Sequence, residues 1–215
     1  MFDVVTLGEA MVLFAAAEIG ALADVRHFSK HTAGAETNVA VGLARMGFKV
    51  AWVSRLGDDA GGRYLKRTFE KEGIDCSYAP LVSGQRTGFM FKTRVDDGSD
   101  PHIEYHRRDS AASQLTPHEL NVAWLTQARH LHISGVFPAL TDSTLSAVQT
   151  AMRVMREAGK TISFDPNLRP ALWSDHDTML RTINGLAAKA DWILPSLEEG
   201  RALTGLKEPS DIATF

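Results

Sequence analysis

The chain has 215 residues, 44% of them hydrophobic and 23% charged, which are ordinary proportions for a globular domain. A net charge of −3 offers no basic surface for nucleic acid, and the single Cys76 excludes an internal disulfide framework and suits a reducing cytoplasm. Asp3, Glu9 and Glu18 interrupt the N-terminal apolar stretches, and the run Ala10 to Ala17 falls far short of the roughly 20 residues of a spanning helix, so neither a signal peptide nor a membrane segment is expected.

Asp3 to Gly8 is a short apolar run ending in glycine, the pattern of a buried parallel strand. The small-residue turn Thr32-Ala33-Gly34-Ala35 opens a helix over 36–46, with Val39, Ala40, Leu43 and Ala44 on one face and Gly47 as its stop. Lys49 to Ser54 reads as a strand and Ala60 to Glu72 as a helix with Tyr64, Leu65 and Phe69 on one side. This alternation predicts a mostly parallel sheet with helices on both faces.

Residues 86–108 break the rhythm. Arg86 to Val95 and His102 to Arg107 read as two extended strands joined by Asp96-Asp97-Gly98-Ser99-Asp100. A hairpin among βα units must lie outside the main sheet, so 86–108, with parts of 10–32, is expected to form a β lid or dimerisation flap; a plain surface hairpin is the alternative. The rhythm then resumes with a helix over 117–126, a strand over 130–134, a long helix over 141–158 capped by Thr141 or Asp142, a strand over 161–164, a helix over 177–190 and a strand over 191–194. Pro209-Ser210-Asp211 announces a helix capped by Ser210 or Asp211, with only Ile212 to Phe215 after it. That leaves about one turn, too short to stand alone, and the expectation is a chain cut short.

The strand over 161–164 delivers Asp165-Pro166-Asn167-Leu168-Arg169-Pro170 at its C-terminal end, the edge where open parallel sheets bind ligands. The two prolines stiffen the turn and present Arg169, whose guanidinium can take a carboxylate or phosphate in bidentate fashion; an Asp165–Arg169 pair bracing the turn is the simpler alternative. Tyr105 and Arg107, two residues apart in the second hairpin strand, share a face and suit a hydroxylated anion, with the phenol on a hydroxyl and the guanidinium on a carboxylate.

Gly34, Asn38, Ala40, Gly47 and Gly57 together resemble the N-terminal signature of the ribokinase-like (PfkB) sugar kinases, departing at Glu36, where many members carry a small residue or proline. Asp165 to Arg169 with Leu172-Trp173 resembles a motif shared by sugar and sugar-acid kinases of that family. Gly34-Ala35-Glu36, Tyr105 to Ser113 and Leu131 to Val136 are similar to the 2-keto-3-deoxygluconate kinases. The resemblance spans nearly the whole chain. It implies a ribokinase-like three-layer α/β/α fold, mostly parallel, with a small β lid and its C-terminal part missing; a sugar-acid kinase using ATP and Mg2+ in the cytoplasm; and a homo-oligomer formed through the lid.

By that resemblance the sugar acid contacts Gly34, Tyr105, Arg107, the backbone near Val136, and Arg169. Met90 stands where relatives often place a further tyrosine. Asn167, Ser196 and Glu199 become candidates for nucleotide, Mg2+ and phosphate support, with Ser196 replacing the asparagine of an Asn-x-x-Glu segment; none is expected to ligate the metal directly. The family's aspartate base and Gly-Ala-Gly-Asp anion hole belong to a C-terminal third, and no such motif occurs in these residues, so no catalytic residue is expected within this chain. The alternatives are a fructokinase-like enzyme and, from another class, a non-catalytic sugar-acid binding module.

The remaining candidates are structural. His130 and His132 share a strand face but have no third metal ligand at diagnostic spacing. Asp58 and Asp59 are expected to shape a turn and cap the helix near Ala60. Cys76 has no activating partner, and no Gly-x-Gly-x-x-Gly follows the first strand.

Overall fold

The computed structural model describes residues 1–214. In chain order its strands and helices are β1 (Val4–Leu7), β2 (Met11–Ile19), β3 (Phe28–Ala33), α1 (Ala35–Arg45), β4 (Val50–Val53), β5 (Leu56–Gly57), α2 (Ala60–Lys71), β6 (Asp75–Tyr78), β7 (Leu81–Val82), β8 (Phe89–Arg94), β9 (Ile103–His106), α3 (Val122–Leu125), β10 (His130–Ser134), α4 (Asp142–Glu157), β11 (Thr161–Asp165), α5 (His176–Ala187), β12 (Trp192–Ile193), α6 (Leu197–Thr204) and α7 (Pro209–Ile212). Six strands form a parallel sheet in the order β12-β11-β10-β1-β4-β6.

Strand side chains alternate between faces, and that alternation divides the core in two. Val5, Leu7, Leu131, Ile133, Ile162 and Phe164 point to the face covered by α4 and α5, where Val148, Met152, Met155 and Ile183 complete a continuous buried cluster. Val50 and Trp52 point the other way, against Ala40 of α1 and Leu65 and Phe69 of α2. Trp52 sits edge-on to Phe69 and donates its indole N–H to the Gly8 carbonyl at 3.1 Å, so its one polar atom is satisfied at full burial.

A second, four-stranded sheet has the order β3-β2-β8-β9. The hairpin expected at 86–108 is present as β8 and β9, antiparallel, with Met90 opposite Tyr105. Its partner β2 runs parallel to β8, and the apolar run that begins at Ala10 supplies that strand. Phe14, Phe28, Phe89 and Phe91 cluster between these strands, with His106 stacked on Phe89.

Local chemistry corrects several expected boundaries. The helix expected over 117–126 is two pieces: a 3-10 turn over Pro117–Glu119, closed by a Thr116–Glu119 capping box, and α3, which Asn121 caps afresh by accepting from the Trp124 amide. Neither Ser210 nor Asp211 caps the final helix; both lie inside α7, whose cap position is Glu208. Asp175 rather than Asp177 opens α5, accepting the Thr178 amide. Thr141 caps α4 and Asp59 caps α2, as their sequence positions suggest.

Candidate functional site

In the main sheet the chain leaves β1 toward β4 on one side, while β10 lies on the other. The strand order therefore reverses between β1 and β10, and the crevice beyond their carboxyl ends is the binding position of open α/β sheets. Three buried polar groups meet there: Glu9 just past β1, Glu36 in the first turn of α1, and Ser134 at the end of β10.

Ser134 Oγ donates to Glu36 Oε1 at 2.5 Å and accepts the Val136 amide at 3.2 Å. Burial raises the Glu36 carboxyl to about 7, with the Ser134 hydroxyl the main opposing influence and the Arg107 charge a smaller one. The glutamate lies so close to the end of β1 that a Cβ on Gly8 would stand 2.2 Å from its Cδ. A Cβ on Gly34, the cap position of α1, would stand 2.4 Å from Thr37 Oγ1 and 2.7 Å from the Glu9 carbonyl. Both glycines are required by close approach.

Arg107 follows directly after β9 and reaches into the same crevice. Its Nε donates to Glu9 Oε2 at 2.8 Å and its Nη2 forms an ion pair with the same oxygen at 2.5 Å, while Ser110 Oγ donates to Glu9 Oε1 at 2.5 Å. The Glu9 side chain is 1% exposed and that of Arg107 12%. Burial pushes the Glu9 carboxyl above its usual range, with Arg107 the largest opposing influence. Tyr105 is exposed on the second sheet.

The loop after β11 forms a second group. Asn167 adopts a left-handed backbone, φ 40°, which asparagine tolerates better than most residues. Its amide and side-chain nitrogens donate to the two Asp165 carboxylate oxygens. Glu199 Oε1 accepts the Leu168 amide at 2.7 Å, and Oε2 accepts the Ser196 amide and hydroxyl, both at 2.9 Å. Ser196 returns its oxygen to the Glu199 amide, forming a capping box on α6. Burial works against the Glu199 charge, but the Ser196 and Leu168 amides outweigh it and hold its pKa low; burial, aided by Glu199, raises that of Asp165. Arg169 is exposed and donates to the Leu168 carbonyl, and no ion pair among the described residues joins it to Asp165. The bracing pair considered for this turn is replaced by the Asp165–Asn167 bonds.

The expected residues thus fall in two places along one sheet edge: Gly34, Arg107 and the Val136 amide around Glu9 and Glu36, and Asn167, Arg169, Ser196 and Glu199 around the loop after β11. Glu9, Ser110 and Ser134 were not singled out from the sequence; the available signal was a polar residue at the carboxyl end of an apolar strand. His130 and His132 share the Ser163 hydroxyl, at 2.7 and 2.9 Å, and belong to the packing of the sheet. Cys76 is buried, its thiol pushed up to about 12 by desolvation. A shallow cavity of about 740 Å³ lined by Lys49, Lys66 and Glu70 lies at the opposite, amino-terminal edge. No helix among the described residues is long and apolar enough to cross a membrane.

Comparison with known proteins bears on the family and the fold. The pattern of the pfkB family carbohydrate kinases matches residues 1–214. A 2-dehydro-3-deoxygluconokinase of Bacillus subtilis (strain 168) is 47% identical over 99% of this chain and 66% of its own length. A probable fructokinase-2 of Arabidopsis thaliana is 35% identical over 97% of this chain and 63% of its own. The chain therefore spans about two thirds of the length of these relatives. The crystal structure of a PfkB protein from Polaromonas sp. JS666 superposes with a TM-score of 0.97 at 52% identity, covering 100% of this chain and 72% of that one. An uncharacterized sugar kinase from Pyrococcus horikoshii, solved in complex with ATP, gives 0.84 at 29% identity, covering 94% and 66%. The chain belongs to the pfkB family of carbohydrate kinases.

Proposed function

We propose that this chain forms the sugar-facing part of a kinase that transfers the γ-phosphoryl group of ATP to 2-keto-3-deoxygluconate. The observation that carries this reading is an arginine, Arg107, held at the switch-point crevice with only part of its guanidinium engaged. Glu9 accepts from Nε and is ion-paired with Nη2, and the donors left over suit a substrate carboxylate. The 47% relative named for this sugar acid supports the assignment. A fructokinase-like reading has the 35% relative in its favour but gives an anion-binding arginine nothing to do.

In this account Arg107 takes the carboxylate, the Tyr105 hydroxyl and the Gly34 backbone meet sugar hydroxyls, and Val136 lines the edge beside Ser134. Arg169 meets the carboxylate or the transferring phosphate. Phosphoryl transfer depends on positioning and charge stabilisation, so the contribution of these residues is to hold the sugar still.

Ser196, Glu199 and Asn167 shape the nucleotide side of the same edge. Mg2+, when bound with ATP, supplies charge neutralisation to the phosphates. Glu199 is read as supporting it through water, because that ion retains several of its waters.

The four-stranded sheet of β2, β3, β8 and β9 is assigned as a lid over the sugar and as the surface through which copies associate. The buried, unpaired Cys76 fits a cytoplasmic setting.

The deciding experiment offers the full-length protein ATP with 2-keto-3-deoxygluconate, fructose or ribose. The sugar acid should be strongly preferred, and a preference for fructose would install the fructokinase-like reading. Residues 1–215 alone, lacking a Gly-Ala-Gly-Asp motif, should show no turnover above a protein-free control. Sugar-acid binding with no phosphorylation even at full length would favour the binding module.

A further inference from the structure

The Glu9 carboxylate is walled in on every side that matters to a ligand. One oxygen accepts Arg107 Nε at 2.8 Å and is ion-paired with Nη2 at 2.5 Å, and the other accepts Ser110 Oγ at 2.5 Å. Gly88 packs so closely that a Cβ there would stand 3.0 Å from Glu9 Oε1 and 3.4 Å from Arg107 Cβ. The Glu9 backbone is equally fixed, its carbonyl lying against Gly34. With a side chain 1% exposed and both oxygens bonded, Glu9 is tightly held where it stands.

We infer that Glu9 is a positioning residue, a fixed internal acceptor that orients Arg107 so that its free donors face the substrate's anionic group, with Ser110 locking Glu9 in turn. The inference rests on the reading that Arg107 binds that group. Two separated segments are joined in one relay: Glu9, two residues past β1, and the stretch after β9 that carries Arg107 and Ser110. A partly buried guanidinium held by a fixed carboxylate loses little further freedom when it binds. Held by nothing, it would collapse onto other acceptors and present the wrong donors.

The roles separate in steady-state kinetics on the full-length kinase with 2-keto-3-deoxygluconate and ATP. Glu9→Ala frees Arg107 and should raise the KM for the sugar acid at least about tenfold, a modest loss for a misplaced binding group, while the KM for ATP stays at its wild-type value. Glu9→Gln keeps an acceptor in the same place and should return the sugar-acid KM to within about threefold of wild type, the scale of one weakened hydrogen bond. Ser110→Ala should raise it by about threefold or more on the same scale, and it serves as the probe if Glu9→Ala does not fold.

A wild-type sugar-acid KM in Glu9→Ala, or in Ser110→Ala where that is the variant available, would overturn the positioning role. So would a Glu9→Gln as impaired as Glu9→Ala, or an ATP KM that rises in step. An Arg107→Ala control keeps the two ideas apart. If it leaves the sugar-acid KM unchanged, the substrate reading itself fails; if it cripples binding while Glu9→Ala does not, only the positioning role fails.

Discussion

Ser134 Oγ donates to Glu36 Oε1 at 2.5 Å, tying the end of β10 to the first turn of α1 at a carboxyl group that is 1% exposed. Burial raises that carboxyl from its ordinary 4.5 to about 7, so the folded state holds the proton more tightly than the unfolded state. The associated stability is fully present below about pH 4.5 and is lost as pH rises through 7. The shift corresponds to about 3 kcal/mol. Glu36→Gln, neutral at every pH, should flatten the change in urea-unfolding stability between pH 5 and pH 8 relative to wild type. Equal pH dependence in the two proteins would show that Glu36 is already ionised in the folded state.

Gly8 and Glu36 should be energetically coupled. A Cβ on Gly8 would stand 2.2 Å from Glu36 Cδ, an overlap the packed crevice cannot absorb, and overpacking of this kind costs about 1–3 kcal/mol. Gly8→Ala should be destabilising on its own and far less so in a Glu36→Ala background. A double-mutant cycle should give a coupling energy of at least about 1 kcal/mol. Additive effects would mean that the backbone moves aside instead.

The assigned lid makes a prediction about motion. Lids come from the less stable parts of a structure and gain order when ligand binds. In the full-length protein, amide hydrogen exchange across Phe89–Arg94 and Ile103–His106 should slow on adding the sugar acid. The same rates with and without saturating ligand would leave the second sheet a static surface or a permanent interface.

What the sequence disclosed follows from the range over which each feature is set. β10 and β11 were legible because short apolar runs with turn residues after them are local signals, and α4 because its cap and stop lie within one stretch of chain. The short strand β5 and its partner β7 carried no pattern, since two residues have no periodicity. The pairing of β2 with β8 joins positions 77 residues apart at Val12 and Phe89, and nothing local encodes that register. Pro117 to Thr126 looked like one helix by composition, but competing caps at Thr116 and Asn121 divide it.

The site divides in the same way. Arg107 and Arg169 stood out by type and motif. Glu9 did not, because its meaning depends on a partner 98 residues away, and Glu36 registered as a departure from a pattern without any sign that it is buried. Ser196 stood out as a replacement in a metal-side segment, and its cap of α6 with Glu199 was a second role that the segment gave no sign of.

Arg107 is proposed to read a negative charge on the substrate, and substitution of that residue tests this role most directly. Removing one partner of a buried, hydrogen-bonded charge pair costs about 2–5 kcal/mol, which is at least about a thirtyfold loss of affinity. In the full-length protein, calorimetric titration of Arg107→Ala with 2-keto-3-deoxygluconate should show that loss, with ATP affinity unchanged and the weak response to fructose unaltered. Undiminished binding of the sugar acid by Arg107→Ala, or an equal loss for fructose, would contradict the assignment.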